Sequence, residues 1–190
     1  MQKQKKAIIA LSSVCVVFLV ALITVVSIWA ATSQTVSNQL TVRYTATNVA
    51  VTVSAHSKLG DDGSYEAIGS AVTFEATDSS KTETITAKEI TLTDDNNYVV
   101  FRYTFVNNGS NTIYATINTN AVSTTDNVTV TYATGSASTN DTITGGSLAE
   151  ITIAGNTTVY AFIKVAVTDQ ASDALYSGTL SWNLSNVSAA

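Results

Sequence analysis

From residue 40 onward, apolar and polar positions alternate with a period of two. Leu40, Val42, Tyr44 and Ala46 alternate with Thr41, Arg43 and Thr45, and Val49, Val51, Val53 and Ala55 with Thr52 and Ser54. This is the period of a strand with one face buried and one wet. A Gly/Asp loop at 58–63 separates these two from a third strand around Val72, Phe74 and Ala76, and residues 82–92 read as a fourth. The turn Asp94-Asp95-Asn96-Asn97 leads into 98–106, where Val99, Phe101, Tyr103 and Phe105 share one face. Four large apolar residues in one row predict the densest core packing there. Asn107-Asn108-Gly109-Ser110 is a turn, since Asn and Gly tolerate the backbone it needs. Further strands follow at 112–119, 128–132, 148–153, 159–167 and 175–184, the last containing Trp182, while 133–147 has no apolar period and reads mostly as a long loop. About nine strands with frequent turns and no helical period predict an all-β fold, a two-sheet antiparallel β-sandwich or jelly roll.

Before this region the pattern is different. Residues 7–31 carry no charge, and Lys3, Lys5 and Lys6 precede them. As one N-terminal hydrophobic helix this run extends about 37 Å at roughly 1.5 Å per residue, enough to span a bilayer core. The lysines stay on the cytoplasmic side, so the rest of the chain lies outside. Two readings of 1–31 stand open. As a signal peptide it is cut in the small-residue stretch Ala30, Ala31, Thr32, Ser33 by a signal peptidase; as a membrane anchor it stays. Residues 32–190 form a single β-sandwich domain in either case, secreted or held at the cell surface.

Composition narrows the function. Only 12% of residues are charged, against about a quarter in ordinary soluble domains, while Thr (31), Ser (21) and Asn (14) abound. Six basic and fourteen acidic residues follow the apolar run, a net charge of −8. That balance argues against a nucleic-acid partner, which requires Lys and Arg to displace phosphate counterions. Cys15 lies in the apolar run, so the outer domain has no disulfide and must hold by packing.

Candidate chemistry is sparse. His56 is the sole His and could serve a Ser-His-Asp triad only beside a presented nucleophile, and no Gly-x-Ser-x-Gly elbow exists. Asp61-Asp62-Gly63 and the 94–97 turn fit turn chemistry better than the alternating ligands of a calcium loop. One His and one Cys cannot build a Cys/His zinc site, so neither metal nor cofactor is expected. Six Asn-x-Ser/Thr sequons begin at Asn108, Asn127, Asn140, Asn156, Asn183 and Asn186, where about four arise by chance. The Tyr and Trp residues fit core or cross-strand roles better than a sugar-stacking face.

Three features together resemble one family: a leader ending Trp29-Ala30-Ala31, two strands directly after it (LTVRYTAT and NVAVTVSA), and the run from Phe101 to Ser110 followed by another strand. They resemble the TasA/camelysin family of exported biofilm-matrix fibre proteins, with related archaeal bundling pilins. The resemblance implies a jelly-roll core, cleavage by a dedicated signal peptidase, and assembly by donation of the new N-terminal strand. Thr32 and Ser33 stand where that family usually has an aromatic and an acid, and no lysine-rich tail follows.

The resulting expectation is a non-enzymatic exported cell-surface or extracellular-matrix structural protein, a self-assembling fibre subunit. The alternatives are a membrane-anchored adhesion domain binding carbohydrate or protein, and a pilin-like subunit. For self-association the candidate is 32–38, uncharged and free of Pro and Gly, with Val36, Asn38 and Leu40 on one strand face.

Overall fold

The computed structural model describes residues 33–36, 39–45, 50–61, 63–75, 81–85, 90–93, 95–139, 142–168 and 175–189. The hydrophobic run, Lys3, Lys5, Lys6, Ala30, Ala31, Thr32 and Asn38 lie outside these residues. Among the described residues thirteen strands form: β1 (Ser33–Val36), β2 (Gln39–Thr45), β3 (Val51–Leu59), β4 (Glu66–Ala67), β5 (Val72–Phe74), β6 (Lys81–Ile85), β7 (Ile90–Thr93), β8 (Tyr98–Asn107), β9 (Ile113–Thr124), β10 (Val128–Gly135), β11 (Ile151–Ile153), β12 (Thr158–Val167) and β13 (Leu175–Ser185). They make the expected all-β, two-sheet sandwich. Sheet A runs β11-β9-β13, then β1 and β2, then their outer neighbours β7 and β6; sheet B runs β10-β12-β8-β3, then β4 and β5.

Most pairings are antiparallel. The exception is where the two ends of the domain meet: β1 and β2 both run parallel to β13, with Thr35 opposite Leu175 and Thr45 opposite Ser185. Parallel neighbours need a long crossover, and nearly the whole domain supplies it here. Both strands keep the same offset along β13, so they form one rank of the sheet.

The outer neighbours of that rank come from the segment read as a strand over 82–92: β6 pairs with β2 and β7 with β1. Ile85 faces Leu40 and Ile90 faces Val36, so five steps on one side match four on the other. Residues 86–89, between β6 and β7, lie outside the described residues. The long-loop reading of 133–147 needs amendment. β10 continues to Gly135, and Gly145 returns to exchange both backbone hydrogen bonds with Tyr132. The two-residue β4 carries no periodic signal of its own.

The inward faces follow the alternation. Val99, Phe101, Tyr103 and Phe105 of β8 are buried against Tyr176, Leu180, Trp182 and Leu184 of β13. Trp182 receives both Tyr103 and Phe105 edge-on, at centroid distances of 5.5 and 5.0 Å. On β13, Gly178 has φ 139, in the left-handed half that side chains avoid, just before the register of β13 along β9 shifts by one.

Asn107 is the buried polar residue at the end of β8. Its Nδ2 donates to the carbonyls of Asn111, Ile153 and Ala154, and its Oδ1 accepts from the Gly109 amide. A residue read as part of a turn thus ties that turn to the one between β11 and β12.

Candidate functional site

Two sheet faces look outward, and the registers decide what each presents. On sheet A, Thr84, Thr41, Ser181 and Asn118 lie in one cross-strand row, and Thr82, Arg43, Asn183 and Thr116 in the next. Thr41 and Thr84 meet hydroxyl to hydroxyl at 3.5 Å. Arg43 is the one charge in these two rows. The Thr, Ser and Asn that replace charge in the composition therefore cover this face.

Sheet B presents a different surface. Lys58 of β3 and Lys164 of β12 both face Val100 of β8, so the three form one row with a lysine on each side. In the next row, His56, Arg102 and Phe162 are neighbours in the same way. Val100 and Phe162 are buried although they point away from the central core. Their cover comes from connecting segments. Tyr65 packs on Phe162 at 6.5 Å and lies under the Arg102 guanidinium at 4.2 Å, while Arg102 Nη1 donates to the Ser138 carbonyl at 2.9 Å. Arg102 thus clamps the 136–139 segment onto the sheet by cation–π and hydrogen-bond contacts.

Beside this clamp is a cavity of about 170 Å³. Lys58, Lys164, Asp61, Tyr65 and Tyr98 line it, with Val100 and Ile143 as apolar lining. The Lys164 ammonium sits 4.0 Å from the centre of the Tyr98 ring, and the Tyr98 hydroxyl donates to Asp61. Three of the six basic residues of the outer domain (Lys58, Arg102 and Lys164) therefore share one face of a domain of charge −8. Sequence reasoning missed this site, because its row is set by pairing between distant strands.

The residues singled out from sequence fall as follows. Ser33 begins β1, and Val36 and Leu40 are buried in the core rather than offered to solvent. His56 meets Arg102 across the strands, and its Nδ1 has no partner among the described residues. Burial, and secondarily the Arg102 charge, hold its pKa below the ordinary value of 6.5. Asp61 accepts from Tyr98, while Asp62 and Asp94 lie outside the described residues. Among the described residues no three His, Cys, Asp or Glu side chains converge on a metal position. Of the sequon residues, Asn108, Asn156, Asn183 and Asn186 are exposed.

No protein-family model matches the chain, and no curated protein does. Solved structures of two single-residue mutants of the major pilin of Streptococcus pyogenes are similar at 11% and 12% identity, with TM-scores of 0.17 and 0.16. Each comparison covers 77% of this chain and 48% of the pilin. A third major pilin structure from that organism gives 10% identity and a TM-score of 0.13, over 78% of this chain and 45% of the other. The chain spans about half the length of these pilins, and superpositions this poor carry no argument about function.

Proposed function

We propose that the protein is an exported, non-enzymatic structural subunit of the cell surface or extracellular matrix that assembles with copies of itself through its N-terminal strand. The position of β1 carries this reading. It lies between β13, parallel, and β7, antiparallel, so hydrogen bonds hold it on both sides by strands distant in sequence. Val36 seals the core below it. The β1 of a second copy could make the same bonds and bury the same Val36. Exchange between identical chains then conserves the contacts and is governed by concentration and by the connection to β2. The strand is uncharged (SQTV), so no like-charge repulsion opposes the exchange. A leader that delivers 32 onward to the outside, and the resemblance to TasA-type fibre proteins, agree with this reading.

The test is N-terminal sequencing of the exported protein, then light scattering and negative-stain imaging of the mature chain and of a variant lacking 32–38. A terminus near Thr32, filaments from the mature chain and none from the variant are expected, and a synthetic 32–38 peptide should fill the variant's slot and keep it monomeric. Equal filaments from both would refute the strand role. An intact Met1 in membranes without filaments would favour the anchored adhesion reading.

A further inference from the structure

We propose that the cavity on the outer face of sheet B holds one unit of an acidic polysaccharide, a carboxylate-bearing pyranose gripped between Lys58 and Lys164. The inference is independent of fibre assembly. Both lysines flank Val100 across adjacent strands, which places their Cα atoms about 9–10 Å apart. Ammonium groups on flexible stems at that separation can converge on one carboxylate from its two sides. Between them the lining changes character: Tyr65 and Tyr98 supply rings, Val100 and Ile143 apolar surface, and Asp61 an acceptor already engaged by the Tyr98 hydroxyl.

Three ligand classes can be weighed against this lining. A bare inorganic anion would use the two lysines but leave the rings and the Asp61 acceptor unused. A neutral sugar would use the rings and Asp61 but give the Lys58 ammonium no anionic partner and leave Lys164 only the Tyr98 ring. A uronic acid uses both: its carboxylate takes the lysines, its hydroxyls reach Asp61 and Tyr98, and its C–H faces lie against aromatic and apolar surface. Nucleic acid is disfavoured, because three basic residues on a domain of charge −8 displace few counterions. The volume of about 170 Å³ is below the roughly 300 Å³ at which drug-sized pockets begin, and suits a single ring of a longer chain. The site is also braced. Lys164 lies on Tyr98, Arg102 lies on Tyr65 and bonds Ser138, and Phe162 is buried beneath Tyr65. Such bracing reduces the side-chain ordering that binding would otherwise require.

The experiment is isothermal titration calorimetry on the full chain in non-ionic detergent at low salt. The titrants are trigalacturonate, its methyl ester and inorganic phosphate. Trigalacturonate should bind, and the ester and phosphate should bind at least about tenfold more weakly, the factor expected for one charge-assisted hydrogen bond. The double substitution Lys58→Gln and Lys164→Gln should abolish binding while the chain keeps a cooperative thermal transition, lowered only by loss of the Lys164–Tyr98 contact. Arg43→Gln, on the opposite sheet, should leave binding as it was. Failure of trigalacturonate to bind overturns the proposal. So does equal binding of the ester, which would mean ring stacking alone, or of phosphate, which would mean simple anion attraction. Wild-type affinity in the folded double variant would also overturn it.

Discussion

Replacing Phe105 by Ala probes the alternation of β8 where its packing is richest. The ring is fully buried, lies edge-on to Trp182 at 5.0 Å, and has Val53 and Val159 as cross-strand neighbours. Truncation loses the transfer free energy of the ring and leaves a cavity walled by two sheets that cannot close over it. Phe→Ala at such sites costs about 3–5 kcal/mol, of which the aromatic pair supplies roughly 0.5–1.5. Domains of this kind have about 5–15 kcal/mol in total, so the variant loses a large fraction of its stability. For this chain length each kcal/mol is worth about 2–4 °C, which puts the fall in Tm on the order of 10 °C. Urea unfolding followed by the fluorescence of Trp182 reads the effect at the partner itself. Thr104→Ala, one residue away on the outer face, should cost less than about 1 kcal/mol. A Phe105→Ala change within about 1 kcal/mol of wild type, or a larger loss for Thr104→Ala, would refute the assignment of faces.

Asn107→Ala removes three donated hydrogen bonds and one accepted, leaving the buried Ile153 carbonyl without this donor. We expect a loss of roughly 2–4 kcal/mol in urea titration, and faster hydrogen exchange in both the 108–111 and 154–157 turns. His56 has a folded pKa held below 6.5 by burial and Arg102, so the unfolded chain binds its proton first and stability falls as pH drops below about 6.5. His56→Gln should flatten that part of a Tm–pH curve, and an unchanged slope would exclude His56 as its source. Substitution of Lys3, Lys5 and Lys6 together by Ala should impair or invert membrane insertion, read by protease accessibility of the outer domain in intact cells; normal export would count against the topology.

Much of the fold was legible because both sheets bury one face, and a period of two reports that directly. Val51, Val53 and Ala55, or Val99 through Phe105, need nothing beyond their own spacing to be assigned inward. The same rule assigns Val100 and Phe162 to solvent, and there it fails. They are buried because Tyr65 and the segment held by Arg102 cover them, and no local pattern encodes a distant loop as cover. The cavity was hidden for a related reason. Lys58, Val100 and Lys164 become a row only when strands roughly 40 and 60 residues apart adopt one register. The partners of 82–92 were likewise invisible, because pairing with β2 through β6 and with β1 through β7 is set by register between distant strands.

The parallel seam between the ends of the domain sets an order of events. Thr35, Val36 and every residue of β2 pair with residues of β13 that are 140 positions later, 175 against 35 and 185 against 45. During synthesis at about 5–20 residues per second, the first rank of sheet A therefore exists for on the order of ten seconds before its parallel partner is made. β6 and β7 arrive earlier, but they cover only one side of it. Through that interval Val36, Leu40 and Val42 lack their in-sheet neighbours Tyr176, Leu180 and Trp182, and the side awaiting β13 offers a row of unsatisfied backbone groups. Two outcomes compete for that row: closure by the chain's own last strand, or capture by a strand from a neighbour. Closure is intramolecular and prevails for a dilute chain, while crowding of identical chains at one exit raises the second in proportion to their local concentration. The strand most exposed to this choice is β1, the first of the rank, so under the proposed strand exchange it, and no edge strand of the finished sandwich, is where folding and assembly would meet.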